Sequence, residues 1–538
     1  MSALLSVRGL TVRFAGTTAV EGASFDLAPG EALGVVGESG SGKSMTCRAL
    51  MALTPSAAAV TGSARLEGDE LLGPGGAAVA ARGRRLGMVF QVPSTHLDPL
   101  MRVGDQVAEG LVRHDGLSRA EARRRAVGLL EEVRLSEPER WARAYPHELS
   151  GGMKQRAMIA AALAPRPAVL LADEPTTALD VTVQAEILAL IGRACRERGM
   201  GLVLVSHDLA AVAATCDRVL VMRAGRIVEE GPTVVVVSDP RHPYTRALLD
   251  AHPGRLAPAP ASPSGAPPLL EAGGVTIRYA RRGLADLLRG RKGPAPAVRG
   301  ADLSLRRGGA LGIVGESGSG KSTLARALTG LVRPEAGRLR LDGREADWRD
   351  VARPAHLRRI QLIYQHPAEA LSPRLPALAA VAEPIHRHGL APRAEARRRA
   401  AALMEEVGLG PELHGRRPSE LSGGQCQRVA VARALALDPE ALIADEATSA
   451  LDVTVQAQLL ALLARLRRER GLALILISHD LGVVRHLCDR VVVMRRGEIV
   501  EAGETARVLS EPAHPYTRAL VAAIPRLPGE PAPARGAA

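Results

Sequence analysis

The sequence predicts an α/β fold built twice in one chain, on three observations. The octapeptide GESGSGKS stands at 37–44 and again at 315–322, LSGG at 149–152 and 421–424, and DEPTTALD at 173–180 against DEATSALD at 445–452. The copies run in register, since Asp445 minus Asp173, Ser422 minus Ser150 and His479 minus His207 each equal 272. A self-similarity of that period marks two whole domains. Short apolar runs closed by turn residues alternate with longer helical segments, the pattern of buried parallel strands joined by crossover helices.

Each element follows in order. LLSVRGLTVRF alternates as a strand, EALGVVG is a buried strand, and the glycine loop turns it into the helical KSMTCRALMAL. AVLLAD at 168–173 and GLVLVSHD at 201–208 are two more buried strands, with the helix VTVQAEILALIGRACRER between them. From Gln91 to Ser150 the pattern turns helical, and Ser118 with Glu121 forms an S-x-x-E start before EARRRAVGLLEEVRL, which marks a smaller helical subdomain. The stretch 251–268, AHPGRLAPAPASPSGAPP, loses all periodicity and is expected to be a Pro/Ala-rich linker. The expected domains are therefore 4–250 and 269–525, with a disordered tail over 526–538.

Composition narrows the class. Of the residues 46% are hydrophobic, ample for two cores, yet no apolar run reaches the eighteen or so residues of a membrane span. The start MSALLSVRG lacks the features of a secretory signal, so a cytoplasmic location is expected. The five cysteines show no CxxC spacing, which argues against a disulfide framework or a metal cluster. A net charge of +13 suits an anionic partner, but with 2% aromatic residues and no reader motif, nucleic-acid binding is not expected. Only four of the 70 basic residues are lysine, and two of these, Lys43 and Lys321, sit in the glycine loops, where a compact ammonium suits a phosphate.

The motifs supply chemistry. A GxxxxGKS loop between a strand and a helix wraps backbone N–H groups around a β-phosphate at the positive end of the helix. Gly37, Gly42, Lys43 and Ser44 form one such cradle, with Gly315, Gly320, Lys321 and Ser322 repeating it. In these roles the lysine pairs with the β- and γ-phosphates and the serine hydroxyl coordinates Mg²⁺. Asp173 and Asp445 end apolar strands, where a carboxylate reaches the magnesium shell. The glutamates that follow, Glu174 and Glu446, are the candidate general bases, and His207 and His479 the candidate γ-phosphate contacts.

LSGGMKQR and LSGGQCQR, lying shortly before DEPTTALD and DEATSALD, resemble the signature and Walker B motifs of ATP-binding cassette (ABC) proteins, over nearly the whole chain. The resemblance implies two tandem P-loop NTPase domains, each with a RecA-like core, an antiparallel β-subdomain and a helical signature subdomain. It implies ATP and Mg²⁺ as cofactors, with Ser39, Gly40, Ser317 and Gly318 in the loops and Phe14 and Tyr279 stacking on adenine. Gln91 and Gln365 match the Q-loop, which also approaches the metal, and Asp180 and Asp452 match the D-loop. In this family the domains pair head to tail: Ser150, Gly151 and Gly152 would meet ATP held by Lys321, and Ser422, Gly423 and Gly424 ATP held by Lys43.

TALDVTVQAEIL with SALDVTVQAQLL, and HPYTRALL at 242–249 with HPYTRALV at 514–521, resemble the ATPases of oligopeptide, dipeptide and nickel importers. That likeness implies a peripheral protein at the cytoplasmic face of the membrane, two membrane permease subunits as partners, and an extracytoplasmic binding protein acting indirectly. Tyr279 to Gly315 spans 36 residues against 23 from Phe14 to Gly37, so the second copy carries a basic insert, and the chain resembles two importer subunit types fused. Val92, His366, Cys426 and Ala447 depart from the family pattern without removing a catalytic group. Three alternative readings compete with this one: a soluble tandem ABC ATPase acting on ribosomes, an exporter ATPase, and a non-hydrolysing scaffold. The short Pro/Ala-rich join and the doubled HPYT motif oppose the first, and both glutamates and histidines oppose the last.

Overall fold

A computed structural model describes residues 3–72, 77–177, 179–259, 265–279, 295–349, 354–448 and 451–528. The chain divides into two compact units, one holding the residues up to Arg255 with short stretches around 453 and 527, the other most of the remainder from Leu256. The expected basic insert over 281–292 lies outside the described residues.

In the first unit, strands β1 (Leu5–Phe14), β2 (Thr17–Leu27), β3 (Ala32–Val36), β4 (Ala59–Leu66), β5 (Asp69–Glu70), β6 (Leu86–Val89), β7 (Val169–Asp173), β8 (Gly201–Val205), β9 (Arg218–Arg223) and β10 (Arg226–Pro232) form two sheets. The smaller is antiparallel in the order β2-β1-β4-β5, and the larger runs β10-β9-β3-β8-β7-β6. In the larger, β3 lies between β8 and β9, parallel to both, and β7 lies between β8 and β6. Every residue of β3, β7 and β8 is buried. Both faces of these strands are covered, because side chains alternate between two cores. Leu33, Val35, Val169, Leu171, Val203 and Val205 join the core shared with the antiparallel sheet, while Ala32, Val36, Leu170, Ala172, Leu202 and Leu204 join the core under the helices. These strands therefore read in the sequence as continuous apolar runs.

The second unit repeats the plan with β11 (Pro268–Ile277), β12 (Val298–Arg306), β13 (Ala310–Val314), β14 (Ala336–Leu341), β15 (Arg344–Ala346), β16 (Ile360–Ile363), β17 (Ala441–Asp445), β18 (Ala473–Ile477), β19 (Arg490–Arg495) and β20 (Glu498–Glu504). Its sheets run β12-β11-β14-β15 and β16-β17-β18-β13-β19-β20.

The helical subdomain expected between Gln91 and Ser150 is present, with main helices Val103–Asp115 and Arg119–Glu132. Ser118 caps the second of these by accepting from Glu121 N at 3.3 Å, as the S-x-x-E pattern predicts. Helices Ala377–Arg387 and Arg393–Glu406 are the counterparts in the second unit. All five cysteines are buried and free, packed as small apolar residues.

Two segments differ from expectation. Part of the expected linker is docked: Leu256 and Ala259 pack against the second unit's core, and Ala259 N donates to His486 O at 2.6 Å. Leu527, expected in a disordered tail, is 2% exposed and lies in the helix-side core of the first unit. A large aliphatic side chain two residues beyond the expected domain end has apolar surface to bury, and the Pro-rich composition around it hid that.

The units also differ in one ion-pair network. Arg85 of the first unit pairs with Glu67 at 2.8 Å and Asp69 at 2.7 Å. In the second, Arg307 and Arg359 share two acids: Arg307 bonds Asp342 at 2.5 Å and Glu440 at 2.8 Å, and Arg359 bonds Asp342 at 2.5 Å and also Glu440. The hydrogen bond from Arg359 holds the Glu440 carboxyl below its ordinary range.

Candidate functional site

The site is built where four neighbouring strands end. The glycine loop leaves β3, Asp173 ends β7 with Glu174 following it, His207 lies just past β8, and Gln91 just past β6. In an open parallel sheet the carboxyl ends of the strands at such a crossing are where ligands bind.

Backbone geometry shows why the loop is glycine-rich. Gly37 has φ 150°, and a Cβ there would lie 2.2 Å from Met222 O; Gly315 has φ 148°, with Met494 O at 2.1 Å. Gly42 and Gly320, at φ 101° and 104°, immediately precede helices Lys43–Leu50 and Lys321–Leu328. Only glycine fits such positions without strain. Ser39, Gly40, Ser317 and Gly318 line the exposed rim of the two loops.

Lys43 is 5% exposed, and its Nζ donates to Gly37 O and Glu38 O, both at 2.7 Å. Burial lowers its pKa, opposed by the nearby carboxylates of Glu174 and Asp173. Lys321 is 4% exposed and donates to Gly315 O and Glu316 O, both at 2.8 Å. Ser44 Oγ donates to Asp173 Oδ1 at 2.7 Å, and Ser322 Oγ to Asp445 Oδ1 at 2.8 Å. Burial pushes both aspartates upward, and the serine bonds oppose it. A hydroxyl and a carboxylate in contact are hard oxygen donors, which fits Mg²⁺ held by few protein ligands together with phosphate oxygens.

Glu174 adopts a left-handed backbone at φ 46°, as Glu446 does at φ 47°. Each is tied by its N–H to the neighbouring strand, Glu174 to Val205 O and Glu446 to Ile477 O, both at 3.0 Å. This turn aims the side chain back across the strand ends. Glu174 Oε2 accepts from Gln91 Nε2 at 2.8 Å and from Thr177 Oγ1 at 2.8 Å, and lies 3.4 Å from His207 Nδ1. Burial opposes ionisation, but His207, Thr177 and Lys43 together bring its pKa down to about 2, so the group is a carboxylate at neutral pH. Burial also disfavours the charged form of His207, yet Glu174 raises its pKa on balance. Gln365 Nε2 donates to Glu446 Oε2 at 2.6 Å, and His479 follows β18 as His207 follows β8.

Other expected site residues sit at helix starts or beside the sheets. Ser150 caps helix Gly151–Leu163, accepting from Met153 N at 3.4 Å, and Gly151 is exposed while Gly152 is half-buried. Ser422 caps helix Gly423–Leu435 more fully: its Oγ accepts from Gln425 N at 3.2 Å and its own N donates to Gln425 Oε1 at 2.9 Å, a reciprocal box that Met153 cannot form. Gly424 is half-buried like Gly152. Asp180 caps helix Val181–Arg198, accepting from Val183 N at 3.1 Å and Thr182 Oγ1 at 2.7 Å, and Asp452 directly precedes helix Val453–Arg470. Phe14 is half-buried against the core shared with the antiparallel sheet. Tyr279 is 61% exposed, and its hydroxyl meets Thr323 Oγ1 at 3.0 Å, beside the loop helix of its own unit.

Sequence reasoning missed Thr177, which holds the Glu174 carboxylate, and two tyrosines. Tyr244 and Tyr516 accept hydrogen bonds from the loop amides of Glu38 and Glu316, at 3.0 and 2.9 Å. The repeated HPYT motif was the available signal, but without the fold nothing connected it to the loops.

A protein-family model described as ABC transporter matches residues 20–177 and 298–449, and one described as oligopeptide/dipeptide transporter, C-terminal region, matches 228–282 and 500–536. The peptidoglycan transport ATP-binding protein YejF of Agrobacterium fabrum is 45% identical over 529 residues, covering 97% of this chain and 96% of that protein. The glutathione import ATP-binding protein GsiA of Escherichia coli K12 is 43% identical over 559 residues, covering 97% and 89%. These relatives fit the importer reading, not the ribosome-acting or exporter alternatives. With two matched cassette domains and full-length likeness to import ATPases, the chain belongs to the ABC transporter family, as a tandem ATPase of importer type.

Proposed function

We propose that this chain drives a membrane importer for peptides or related small solutes, binding ATP·Mg²⁺ at both glycine loops and hydrolysing it at both. The observation that carries this is the recurrence in each unit of one set of contacts: lysine on the loop carbonyls, serine on the strand-end aspartate, and glutamine on the following glutamate.

In this reading Lys43 and Lys321 leave their carbonyls for the β- and γ-phosphates. Ser44 with Asp173, and Ser322 with Asp445, would hold Mg²⁺, whose charge would neutralise the phosphates, with Gln91 and Gln365 near it. Phe14 and Tyr279 stack on adenine. Glu174 and Glu446 orient and deprotonate the attacking water. At a pKa of about 2 Glu174 is a weak base, because its donors stabilise the carboxylate. Handing Gln91 and His207 to the nucleotide removes that stabilisation and raises its basicity, the direction a general base requires. His479 plays the part of His207 at the other loop.

The family resemblance supports head-to-tail pairing, in which Ser150, Gly151 and Gly152 complete the site of Lys321, and Ser422, Gly423 and Gly424 that of Lys43, with Asp180 and Asp452 alongside. The exposure of Ser150, Gly151, Ser422 and Gly423 at helix starts agrees with an anion-binding role. Closure on ATP and release after hydrolysis would then drive two permease subunits at the cytoplasmic face of the membrane, fed by an extracytoplasmic binding protein. Among the described residues no helix is long and apolar enough to cross a membrane. The names of the relatives, peptidoglycan transport and glutathione import, support a peptide-like cargo. Affinity purification of the tagged chain from solubilised membranes tests the reading: permease subunits should co-purify, and recovery of ribosomes instead would overturn it.

A further inference from the structure

The HPYT motif has a physical task in both units. His242 Nδ1 accepts from Tyr244 N at 3.1 Å, Pro243 opens helix Pro243–Asp250, and the Glu229 carboxylate of β10 accepts from Arg241 N at 2.7 Å and His242 N at 3.1 Å. The second unit matches this, with His514 Nδ1 on Tyr516 N at 3.1 Å and Glu501 on Ala513 N at 2.8 Å and His514 N at 3.0 Å. Backbone and side chain thus fix the tyrosine's direction. Its ring is buried, 7% exposed for Tyr244 and 5% for Tyr516, under the guanidinium of Arg223 at 5.0 Å or Arg495 at 4.8 Å.

The hydroxyl then accepts from the second residue of the nucleotide loop, Glu38 N at 3.0 Å and Glu316 N at 2.9 Å. The peptide joining Gly37 to Glu38 is consequently held at both ends, by Tyr244 at its nitrogen and Lys43 at its oxygen, and Tyr516 with Lys321 hold the peptide joining Gly315 to Glu316. When the lysine turns to phosphate, its hold on the carbonyl weakens and the tyrosine is the anchor that remains. We infer that Tyr244 and Tyr516 are positioning residues for ATP binding, through which the C-terminal HPYT region of each unit holds its glycine loop in the shape that receives phosphate. This rests on the assignment of the loops as the nucleotide sites.

Tyr244→Phe and Tyr516→Phe remove only the hydroxyl and keep the ring beneath its arginine. A lost neutral hydrogen bond is expected to raise KM for ATP and the dissociation constant of a fluorescent ATP analogue about twofold to tenfold, with kcat nearly unchanged and the nucleotide-free Tm lowered by no more than a few degrees. Hydrogen exchange of the full chain should quicken in peptides covering 37–44 in the first variant and 315–322 in the second. An unchanged KM with unchanged exchange in those peptides would overturn the inference. So would a fall in Tm with lower kcat at constant KM, which would make the hydroxyl a packing element only. A wild-type chain that fails to bind ATP would overturn the proposed nucleotide sites, while the exchange measurement still tests the tyrosine anchor.

Discussion

Lys43 and Lys321 make the same two carbonyl bonds, at 2.7 and 2.8 Å, yet the helix starts at Ser150 and Ser422 are capped differently and the two ion-pair networks differ in size. The contrast separates two kinds of constraint. The loop lysines, the serine–aspartate pairs and the glutamine–glutamate pairs are fixed by strand ends and by φ angles that few residues adopt, so both copies hold them alike. The residue that closes a helix cap from the third position, and ion pairs at the surface, have several adequate solutions, and the copies have diverged there.

The largest test of this contrast is chemical. Glu174→Gln with Glu446→Gln should slow steady-state ATP turnover by about 10²- to 10⁴-fold, read by phosphate release, while ATP binding persists. The two single variants should leave equal residual rates; unequal rates would show that similar contacts conceal unequal sites, and unchanged turnover in the double variant would dismiss these glutamates as the bases.

Next comes the core. Leu170 and Leu442 occupy matching central-strand positions and are fully buried. Leu170→Ala and Leu442→Ala should each cost about 2–5 kcal/mol in denaturant unfolding. Similar costs would extend the likeness of the copies from site to scaffold, and a gap above about 2 kcal/mol would confine it to the site.

A smaller change tests divergence directly. Met153→Gln supplies the first copy with the partner that Ser422 already has, and should stabilise it by about 0.5–1 kcal/mol in thermal unfolding. Gln425→Met should do the reverse, and no shift in either would mean that the capping difference has no energetic weight.

The smallest effect is electrostatic. Glu440 titrates below its ordinary value of 4.5, so its contribution is fully present above that value and is lost as pH falls through the lowered one. Glu440→Gln should therefore destabilise the chain at pH 7, by no more than about 1 kcal/mol for so exposed a network, and the difference from wild type should begin to narrow as pH falls below 4.5. A difference that stays constant as pH falls below 4.5 would assign the effect to packing.

Much of this was legible in the residues. GESGSGKS is a local solution to a backbone problem, and LLAD followed by Glu is a strand end with its acid, so both survive reading without a fold. The sequence also places Ser118 correctly, because a cap depends on neighbours within one turn. What escaped depends on distant chain: Tyr244 meets Glu38 only because the carboxyl-end helix of the unit returns to the loop, and Thr177 matters only once Glu174 turns back at φ 46°. Leu527 escaped for the same reason, since its burial is decided by a core assembled from residues far upstream.

That leucine also sets an order of assembly. Translation delivers the first unit's strands and helices early, but the side chain that closes part of its core leaves the ribosome only after the whole second unit. Until then the first unit's core lacks that side chain, and expressed alone as residues 1–255 it would go without it. The fused gene thus makes maturation of the first-made domain wait for the last-made segment, a dependence that two separately synthesised subunits could satisfy only in trans.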